Sequence, residues 1–392
     1  MHILLLPSWY PANKNDIRGI YFRDQAQALS SNGFKVGVIS VNMRSLRTAF
    51  RITGSQNPAC SMEDDDGVKI YRHRIWAAFP RIPYGNYLLW KRSSDELLKK
   101  YVAHNGWPDL VHAHSSLFAG VVAAHWKKKF GLPYVLTEHS SSFPRDLLKP
   151  WHIKLAKFAA QNADVRIAVS PALRESLILK LGSGNGDWKW IPNIVGKRFT
   201  IPGENGRVQK ESTVLLSLAM MDDNKGHPDL LQAYAKAFQG KPDIELWFAG
   251  DGPPMRRLQN QAKALGISRS VKFLGIVPPE DVPDLLRHAD VMIVTSYYET
   301  FCVAAAEALI MGVPVLSTRC GGPECIVQEG DGLLVPPGAP DELSQALQRM
   351  LASLPSMNRQ DITARAYRRF SAEAVVPQLS EIYDCVLSHN KP

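Results

Sequence analysis

Residues 291–317 read VMIVTSYYETFCVAAAEALIMGVPVLS, and this stretch carries the clearest folding signal in the chain. The short apolar runs at 291–295 and 315–317 are typical of buried strands. Between them, a polar loop holds Glu299, and the small apolar residues that follow predict a helix over 303–311. The stretch therefore predicts a strand–helix–strand unit with two parallel strands.

The same alternation runs along the rest of the chain. Apolar runs at 2–6, 35–41, 110–113, 134–137, 165–169 and 188–191 predict strands, with helices between them. After a stretch rich in proline, glycine and charge, the pattern begins again at 214–217. We predict an α/β protein with two Rossmann-like, doubly wound domains that face each other across a cleft at the carboxyl ends of their strands.

The length of 392 residues also favours two domains, because single domains rarely grow so large. We predict an N-terminal domain at 1–195, a linker at 196–212 and a C-terminal domain at 213–375. A final helix is predicted at 376–392, for which packing back on the N-terminal domain is one option.

Composition excludes several classes of protein. With 45% hydrophobic and 21% charged residues, the chain is typical of a folded protein rather than a disordered one. No window reaches the ~18 to 20 apolar residues of a membrane-spanning helix, and the apolar run before Pro7 is too short for a signal peptide. The five cysteines contain no C-x-x-C pair, which fits a reducing compartment. We expect a cytoplasmic protein.

Positive charge is concentrated in the first half, where residues 1–195 carry 26 Lys and Arg against 14 Asp and Glu. Such a surplus fits nucleic acid, an anionic membrane face, an anionic acceptor or an ordinary solvated surface. Basic and aromatic residues interleave in an insert at 42–92: Arg44, Arg47, Arg51, Arg72, Arg74, Trp76, Phe79, Arg81, Tyr84, Tyr87, Trp90, Lys91 and Arg92. This pattern suits peripheral attachment to the inner face of a membrane, and it also suits a partly buried loop.

Glu299 and Glu307 bracket the start of the predicted helix. The amides of Phe301, Cys302 and Val303 are expected to lie free at its N-terminus, which would make an anion site for a pyrophosphate. Because a carboxylate only accepts hydrogen bonds, the two acids could grip neutral sugar and ribose hydroxyls. Alternatively, Glu299 caps the helix and Glu307 is a solvated helix residue, although an idle charge in an alanine-rich run would be costly.

Several motifs together resemble the signature of family 4 retaining glycosyltransferases, also described as glycosyl transferases group 1, which have the GT-B fold. They are E-x7-E at 299 and 307, MGVPV at 311–315, GGPECIV at 321–327, FAGDGP at 248–253, NKG at 224–226 and IPN at 191–193. The resemblance extends across nearly the whole chain. It implies that a sugar is moved from a UDP- or GDP-sugar to a glycan or lipid-linked acceptor. It also implies that the domain at 1–195 is the acceptor-side domain and that the domain at 213–375 binds the nucleotide-sugar.

The resemblance also implies roles for individual residues of the donor site. Glu299 would contact hydroxyls of the transferred sugar, Glu307 the ribose hydroxyls, and Lys225 the diphosphate. A fixed cation suits that place because negative charge develops on the departing diphosphate. The remaining donor-binding residues that it implies are Gly250, Phe301, Cys302 and Val303.

In the first half, the resemblance makes Gly19 the glycine whose bare backbone approaches the donor phosphate; a plain turn glycine is the alternative. His139 would contact the sugar near the reacting carbon, which gives a catalytic set of His139, Glu299 and Lys225. His112 and His114, at a strand end, and Arg18 are candidates for the acceptor side.

The chain departs from the family pattern before Lys225. Many relatives have an arginine about five residues earlier, where this sequence has Ala219-Met220-Met221. Either Lys225 and backbone amides hold the diphosphate alone, or another cation, such as Arg319 or Arg18, reaches it.

No metal or cofactor is expected. Three histidines without a partnered cysteine or an H-E-x-x-H pattern make a zinc site a poor fit. The acidic runs at 64–66 and 222–223 are interpreted as solvated loops rather than as a metal-binding D-x-D motif. Cations and a helix N-terminus would take the place of a metal in stabilising the diphosphate.

These features predict a retaining, metal-independent glycosyltransferase of hexosyltransferase type, acting in cell-surface polysaccharide biosynthesis. Its expected partners are a nucleotide-sugar donor, a glycan or lipid-linked acceptor and an anionic membrane surface, with no nucleic acid. Two alternatives stay open: a nucleotide-sugar 2-epimerase of the same fold, and a non-catalytic scaffold that binds glycan or lipid.

Overall fold

The computed structural model describes residues 1–45, 60–79, 82, 84–182, 187–199 and 211–390. The chain forms two compact units. The N-terminal unit comprises Met1–Val169, Leu173–Ile194 and Ala372–Pro392, and the C-terminal unit comprises Ser170–Ala172 and Val195–Ser371. Most of the predicted linker at 196–212 lies outside the described residues.

In the N-terminal unit, the described residues form an eight-stranded sheet of order β3-β4-β2-β1-β5-β6-β7-β8. Its strands are β1 (His2–Pro7), β2 (Lys35–Ser45), β3 (Cys60–Asp65), β4 (Val68–Ala77), β5 (Leu110–His114), β6 (Tyr134–Glu138), β7 (Val165–Ala168) and β8 (Trp188–Trp190). The helices are α1 (Ile20–Ser31), α2 (Gly85–Asn105), α3 (Val121–Phe130), α4 (Pro150–Asn162) and α5 (Pro171–Leu181). Only β3 runs antiparallel to its neighbour.

The central strands of this sheet are apolar because both faces are covered. Every residue of β1, β5 and β6 is buried, as expected for parallel strands sandwiched between helices. The six strands predicted in the first half correspond to β1, β2, β5, β6, β7 and β8.

The insert at 42–92 is more regular than the sequence suggested. It contains the end of β2, the β3–β4 hairpin and the start of α2. Asp65 is only 7% exposed and accepts two hydrogen bonds from Arg23, at 2.6 and 2.9 Å. The interpretation of 64–66 as a solvated loop is therefore wrong for Asp65, whose charge is paired inside the unit.

In the C-terminal unit, the described residues form a six-stranded, wholly parallel sheet of order β11-β10-β9-β12-β13-β14. The strands are β9 (Thr213–Leu218), β10 (Ile244–Ala249), β11 (Val271–Gly275), β12 (Val291–Val294), β13 (Val315–Thr318) and β14 (Gly332–Val335). The helices are α6 (His227–Phe238), α7 (Met255–Ala264), α8 (Val282–Arg287), α9 (Val303–Ile310), α10 (Pro340–Ser353) and α11 (Arg359–Phe370). The strand–helix–strand unit predicted at 291–317 is β12-α9-β13.

The last helix, α12 (Ala372–His389), belongs to the N-terminal unit and begins four residues before the predicted position of 376. Val375, Leu379 and Tyr383 are buried in the core of that unit. The Tyr383 hydroxyl also lies 2.7 Å from Nδ1 of His112 on β5. The chain thus returns to complete the core of the unit in which it began.

No helix in the described part of the chain combines the length and the apolar character needed to cross a bilayer.

We expect Leu379→Ala to lower the unfolding free energy of the N-terminal unit by about 2 to 4 kcal/mol, because the truncation leaves a cavity in a packed core. Glu381→Ala, on the exposed side of the same helix, is the matched control and should change the free energy by less than about 0.5 kcal/mol. Urea unfolding followed by tryptophan fluorescence measures both. Equal stability of the two variants would contradict the placement of α12 in this core.

Candidate functional site

Lys225 is held in place by its backbone. It ends a short 3-10 turn after β9, and its carbonyl oxygen accepts a hydrogen bond of 2.8 Å from Oγ1 of Thr295, just after β12. Nearby, the amide of Tyr297 donates to the carbonyl of Asn224 at 2.7 Å. Gly226 has a φ of +62°, and a Cβ atom there would lie 2.1 Å from the Thr295 carbonyl oxygen. Only glycine permits this approach, which fixes Lys225 against the loop at 295–299.

Lys225 and Glu299, both predicted to be catalytic, form an ion pair. Nζ of Lys225 lies 2.6 Å from Oε1 of Glu299, and the Ser296 hydroxyl donates to the same oxygen at 2.7 Å. Burial alone would lower the pKa of Lys225, but the charge and hydrogen bond of Glu299 outweigh it, so the pKa is raised. Within the described residues, Oε2 of Glu299 has no partner. That oxygen can accept a hydrogen bond from a ligand hydroxyl.

The backbone around the two glycines of the GGPECIV motif packs against the backbone of Glu299. The Glu299 amide donates to the carbonyl of Cys320, and the Gly322 amide donates to the carbonyl of Glu299, each at 2.8 Å. A Cβ atom on Gly322 would lie within 2.6 Å of the backbone of Phe301. The motif therefore lets two loops pack backbone to backbone, which sets the position of Glu299.

Beyond Glu299, the N-terminus of α9 is open, as predicted. Cys302 precedes the helix with a φ of +79°. Within the described chain, the amides of Phe301, Cys302 and Val303 have no hydrogen-bond acceptor. The Phe301 side chain is buried against Phe370, so that only its backbone is available to a ligand. Unpaired amides at a helix N-terminus attract anions.

Glu307 is buried one turn into α9, at 6% exposure. Its carboxylate lies 3.4 Å from the guanidinium of Arg198, whose side chain is also nearly buried. The alternative that Glu307 is a solvated helix residue is therefore wrong. Arg198 was not predicted as a site residue, although the cost of burying the Glu307 charge called for a nearby cation.

The position of the missing arginine is occupied by Met220, which is exposed. Of the two substitutes considered, Arg319 has an exposed side chain after β13. Arg18 lies in the N-terminal unit, where it pairs with Asp16 at 3.0 Å. The cation that the structure adds to the C-terminal unit is instead Arg198.

Gly250 has a structural role of its own. Its φ is +139°, and a Cβ atom would lie 1.9 Å from the carbonyl oxygen of Ala219. The Ala219 amide donates to the carbonyl of Ala249 at 3.0 Å. The glycine therefore allows the loops after β9 and β10 to approach each other closely.

In the N-terminal unit, Gly19 caps α1 with a φ of +74°. A Cβ atom there would lie 2.9 Å from Cδ1 of Trp9, so the indole ring covers this glycine directly. Both the conformation and the space require glycine.

The three histidines named from the sequence lie together inside the N-terminal unit. His112 contacts the hydroxyls of Tyr383 and Thr137, each at 2.7 Å. Nδ1 of His114 lies 3.1 Å from Nε2 of His139. Both His112 and His114 are completely buried. This corrects the prediction that they line the acceptor side, because a fully buried ring has no face left for a ligand.

Burial also keeps these rings neutral. It lowers the pKa of His112 and of His139 to about 3, and that of His114 well below its ordinary value. Desolvation penalises the charged imidazolium, and for His114 and His139 the neighbouring histidines add to the effect. His139, at 6% exposure, is therefore neutral at physiological pH, so it can orient a ligand by hydrogen bonding but does not act as a cationic acid.

Glu138 is a site residue that the sequence did not single out. It is completely buried and accepts hydrogen bonds from the amide and hydroxyl of Ser116 and from the amides of His139 and Ser140. The carboxylate thereby ties the loop after β5 to the end of β6. It fixes the backbone from which His139 projects.

A cavity of about 750 Å³ opens beside Gly19 in the N-terminal unit. Its aromatic walls are Trp9, Tyr10, Trp90 and Phe118, and Arg18 lies among the polar lining residues. The Tyr10 hydroxyl is buried and has no hydrogen-bond partner within the described chain. The cavity can receive a ligand with both apolar faces and polar groups, such as a sugar ring.

Within the described residues, no group of three or more His, Cys, Asp and Glu side chains is arranged to hold a metal ion.

Comparison with known families identifies the chain. Residues 19–196 match the profile of Glycosyltransferase Family 4, and residues 202–369 match that of Glycosyl transferases group 1. The chain belongs to glycosyltransferase family 4. The resemblance inferred from the motifs is thereby confirmed, and the two Rossmann-like units are those of the GT-B fold.

Relatives of this family 4 glycosyltransferase cover almost its whole length. TuaC of Bacillus subtilis (strain 168), provisionally named a teichuronic acid biosynthesis glycosyltransferase, is 27% identical over 89% of both chains. Sucrose-phosphate synthase from Thermosynechococcus elongatus has a TM-score of 0.80 at 23% identity, with 99% of this chain and 100% of that chain covered. HepE of Anabaena, solved with UDP-glucose, has a TM-score of 0.72 at 21% identity, with 98% and 100% covered.

The buried histidines predict acid sensitivity of this glycosyltransferase. The unfolded chain protonates its histidines below about pH 6.5, whereas His112 and His139 stay neutral in the folded state down to about pH 3. Stability should therefore fall as the pH falls between these values, by about 1.4 kcal/mol per pH unit for each such histidine.

Urea unfolding between pH 7.5 and 4.5 measures this dependence. His139→Gln should make it shallower by about 1.4 kcal/mol per pH unit, whereas His389→Gln, at an exposed position, should leave it unchanged. A stability that is flat from pH 6.5 to 5 would contradict the burial of neutral imidazoles.

Proposed function

We propose that this protein is a retaining, metal-independent hexosyltransferase that moves a sugar from a nucleoside diphosphate sugar to a glycan or lipid-linked acceptor. The observation that carries the proposal is the Lys225–Glu299 ion pair beside the open N-terminus of α9. The Lys225 ammonium and the free amides of the helix suit a diphosphate, and the Glu299 carboxylate suits sugar hydroxyls. We further propose that the reaction serves cell-surface polysaccharide synthesis; the relative TuaC is named for the biosynthesis of teichuronic acid.

The donor would lie along the β12-α9 loop. The free amides at 301–303 and the Lys225 ammonium supply positive charge for the diphosphate oxygens. The unpartnered Oε2 of Glu299 accepts a hydrogen bond from a hydroxyl of the transferred sugar. Glu307, held by Arg198, accepts hydrogen bonds from the ribose hydroxyls. This assignment keeps the roles inferred from the motifs and adds Arg198 as the residue that orients Glu307.

Metal independence follows from the same charges. A departing nucleoside diphosphate gathers negative charge on its phosphate oxygens, and a fixed cation with a helix N-terminus stabilises that charge as it develops. In the proposed front-face reaction, the departing phosphate takes the acceptor proton, so no strong protein base is needed. The neutral His139 then positions the sugar.

The acceptor would enter the cavity of the N-terminal unit. Trp9 and Phe118, which are not fully buried, offer apolar surfaces of the kind on which sugar rings stack, and the Tyr10 hydroxyl and Arg18 offer polar contacts. Gly19 lies at the edge of this cavity, next to Trp9.

The base of the donor nucleotide can be identified from how much UDP or GDP stabilises the folded protein. A nucleotide that binds only the folded state raises the melting temperature, and at equal concentration the tighter-binding nucleotide raises it more. We expect UDP to raise it and GDP to raise it less, because the fold neighbour HepE was solved with UDP-glucose. The opposite order would assign the donor to GDP and leave the reaction class unaffected.

Two substitutions separate nucleotide binding from transfer. We expect Lys225→Met to weaken UDP binding and to lower transfer by about 10²- to 10³-fold, because the cation at the diphosphate is lost. We expect Glu299→Gln to lower kcat at least about tenfold with little change in the Kd of UDP, because Glu299 contacts the sugar and not the nucleotide.

Lys236→Met, which removes an exposed lysine paired with Asp341 on the surface, is the matched control and should change neither quantity. Calorimetry with UDP and release of UDP from UDP-sugars provide the measurements. Unchanged turnover in Glu299→Gln would remove that residue from the reaction. Formation of a 2-epimer from donor alone, without an acceptor, would replace transfer by epimerisation.

A further inference from the structure

Large apolar side chains are exposed together on one part of the N-terminal unit. Phe79, Ile82 and Tyr84 come from the chain that leads into α2, Leu88 lies in the first turn of α2, and Leu147 precedes α4; each is between 37% and 59% exposed. We call these five residues, together with Trp151 and the outer face of α4 described below, the α2–α4 surface. Exposed apolar side chains scattered singly are common, but a group of this size marks a contact surface.

Ring packing joins the two segments. The rings of Tyr84 and Trp151 lie 5.2 Å apart, so the N-terminal ends of α2 and α4 are neighbours. Phe79 packs over Gly85, where a Cβ atom would lie 2.6 Å from that of Phe79. The apolar side chains at the start of α2 therefore adjoin the ring of Trp151 on α4.

The outer face of α4 extends this surface. The helix turns Ala156, Ala159 and Ala160 inward, where all three are buried. On its outer side, a shallow groove is lined by Pro150, Ile153, Lys154, Lys157, Phe158 and Gln161. Apolar and cationic side chains thus share the solvent-facing side of the helix.

The charge of the α2–α4 surface is positive. Arg145, Lys149, Lys154 and Lys157 are all exposed, and none forms an ion pair within the described part of the chain. Lys128 adds a further cation, 4.6 Å from the ring of Phe158. An anionic partner would neutralise this charge.

We propose that the α2–α4 surface docks the protein on a membrane that contains anionic lipid. The rings of Tyr84 and Trp151 would lie at headgroup depth, Ile82 and Leu88 would enter the apolar boundary, and the lysines of α4 would meet lipid phosphates. A protein partner fits less well, because lysine is depleted from protein–protein interfaces.

Docking places a part of the reaction site near the membrane. Helix α2 presents Leu88 to solvent and, less than one turn later, Trp90 to the cavity beside Gly19. A lipid-linked acceptor could then pass from the membrane to the cavity. This consequence rests on the proposed function, whereas docking itself does not.

The α2–α4 surface differs from the one predicted at 42–92. Arg72, Tyr87 and Trp90 of that insert are buried, whereas Arg47, Arg51 and Arg81 lie outside the described residues. Only the segment around 79–92 contributes, and most of the cations come from 145–157, which the sequence did not single out. Burial explains the difference, because β4 and α2 turn those side chains into the unit.

Co-sedimentation of the full-length protein with vesicles tests the proposal. We expect binding to vesicles of phosphatidylcholine with phosphatidylglycerol at low salt, weaker binding at high salt and little binding to phosphatidylcholine alone. The double variant Lys154→Gln/Lys157→Gln should bind about thirtyfold more weakly, at about 1 kcal/mol for each cation. Ile82→Ser/Leu88→Ser should weaken binding at least about tenfold at both salt concentrations, because apolar burial is lost.

Lys263→Gln/Arg269→Gln makes the same change in charge at exposed positions of the C-terminal unit and should bind as the wild type does. Wild-type protein that ignores anionic vesicles at low salt would overturn the proposal, as would equal losses in the Lys154/Lys157 variant and the control. Stabilisation by UDP is measured on every variant. A protein that binds UDP but not vesicles would overturn docking alone, and one that binds vesicles but no nucleotide would overturn the proposed function alone.

Discussion

The ion pair between Lys225 and Glu299 is the interaction on which the C-terminal site depends. The two residues are 74 positions apart in the sequence, and each stands on a loop that follows a parallel strand. Gly226 allows the loop of Lys225 to contact the loop of Glu299, and Gly322 packs against the backbone of the Glu299 loop at Phe301. A paired, half-buried lysine keeps its charge, so the site holds a fixed cation before any ligand arrives. Such preorganisation is what electrostatic stabilisation of a leaving group requires.

The buried carboxylates of both units are likewise held by charged or hydrogen-bonding partners. Glu307 is buried and is balanced by Arg198, and Glu138 is buried and receives hydrogen bonds from three backbone amides and one hydroxyl. A buried charge without such partners would cost several kcal/mol. Each carboxylate therefore organises the chain around it: Glu307 binds the segment that enters the C-terminal unit, and Glu138 binds the loop before His139.

The N-terminal unit combines a neutral interior with a cationic exterior. Its three central histidines are kept uncharged by burial, whereas the lysines of α4 point to solvent. The positive charge of the first half of the sequence is thus a property of the surface. The cavity of this unit is lined by aromatic rings and by Arg18, whereas His112 and His114 lie fully inside the core.

The sequence by itself determined the fold class and the family, because strand periodicity and glycine-containing motifs are local signals. It also predicted Glu299, Glu307 and Lys225 as residues of the donor site. It also indicated the open N-terminus of α9. Only the tertiary structure decided which cation meets which carboxylate: Arg198 faces Glu307, and Lys225 faces Glu299. It likewise placed His112 and His114 in the core, buried Arg72 of the 42–92 insert and left the lysines of α4 exposed. These outcomes depend on which face each side chain presents after packing, and no local pattern in the sequence encodes contacts between residues that lie far apart.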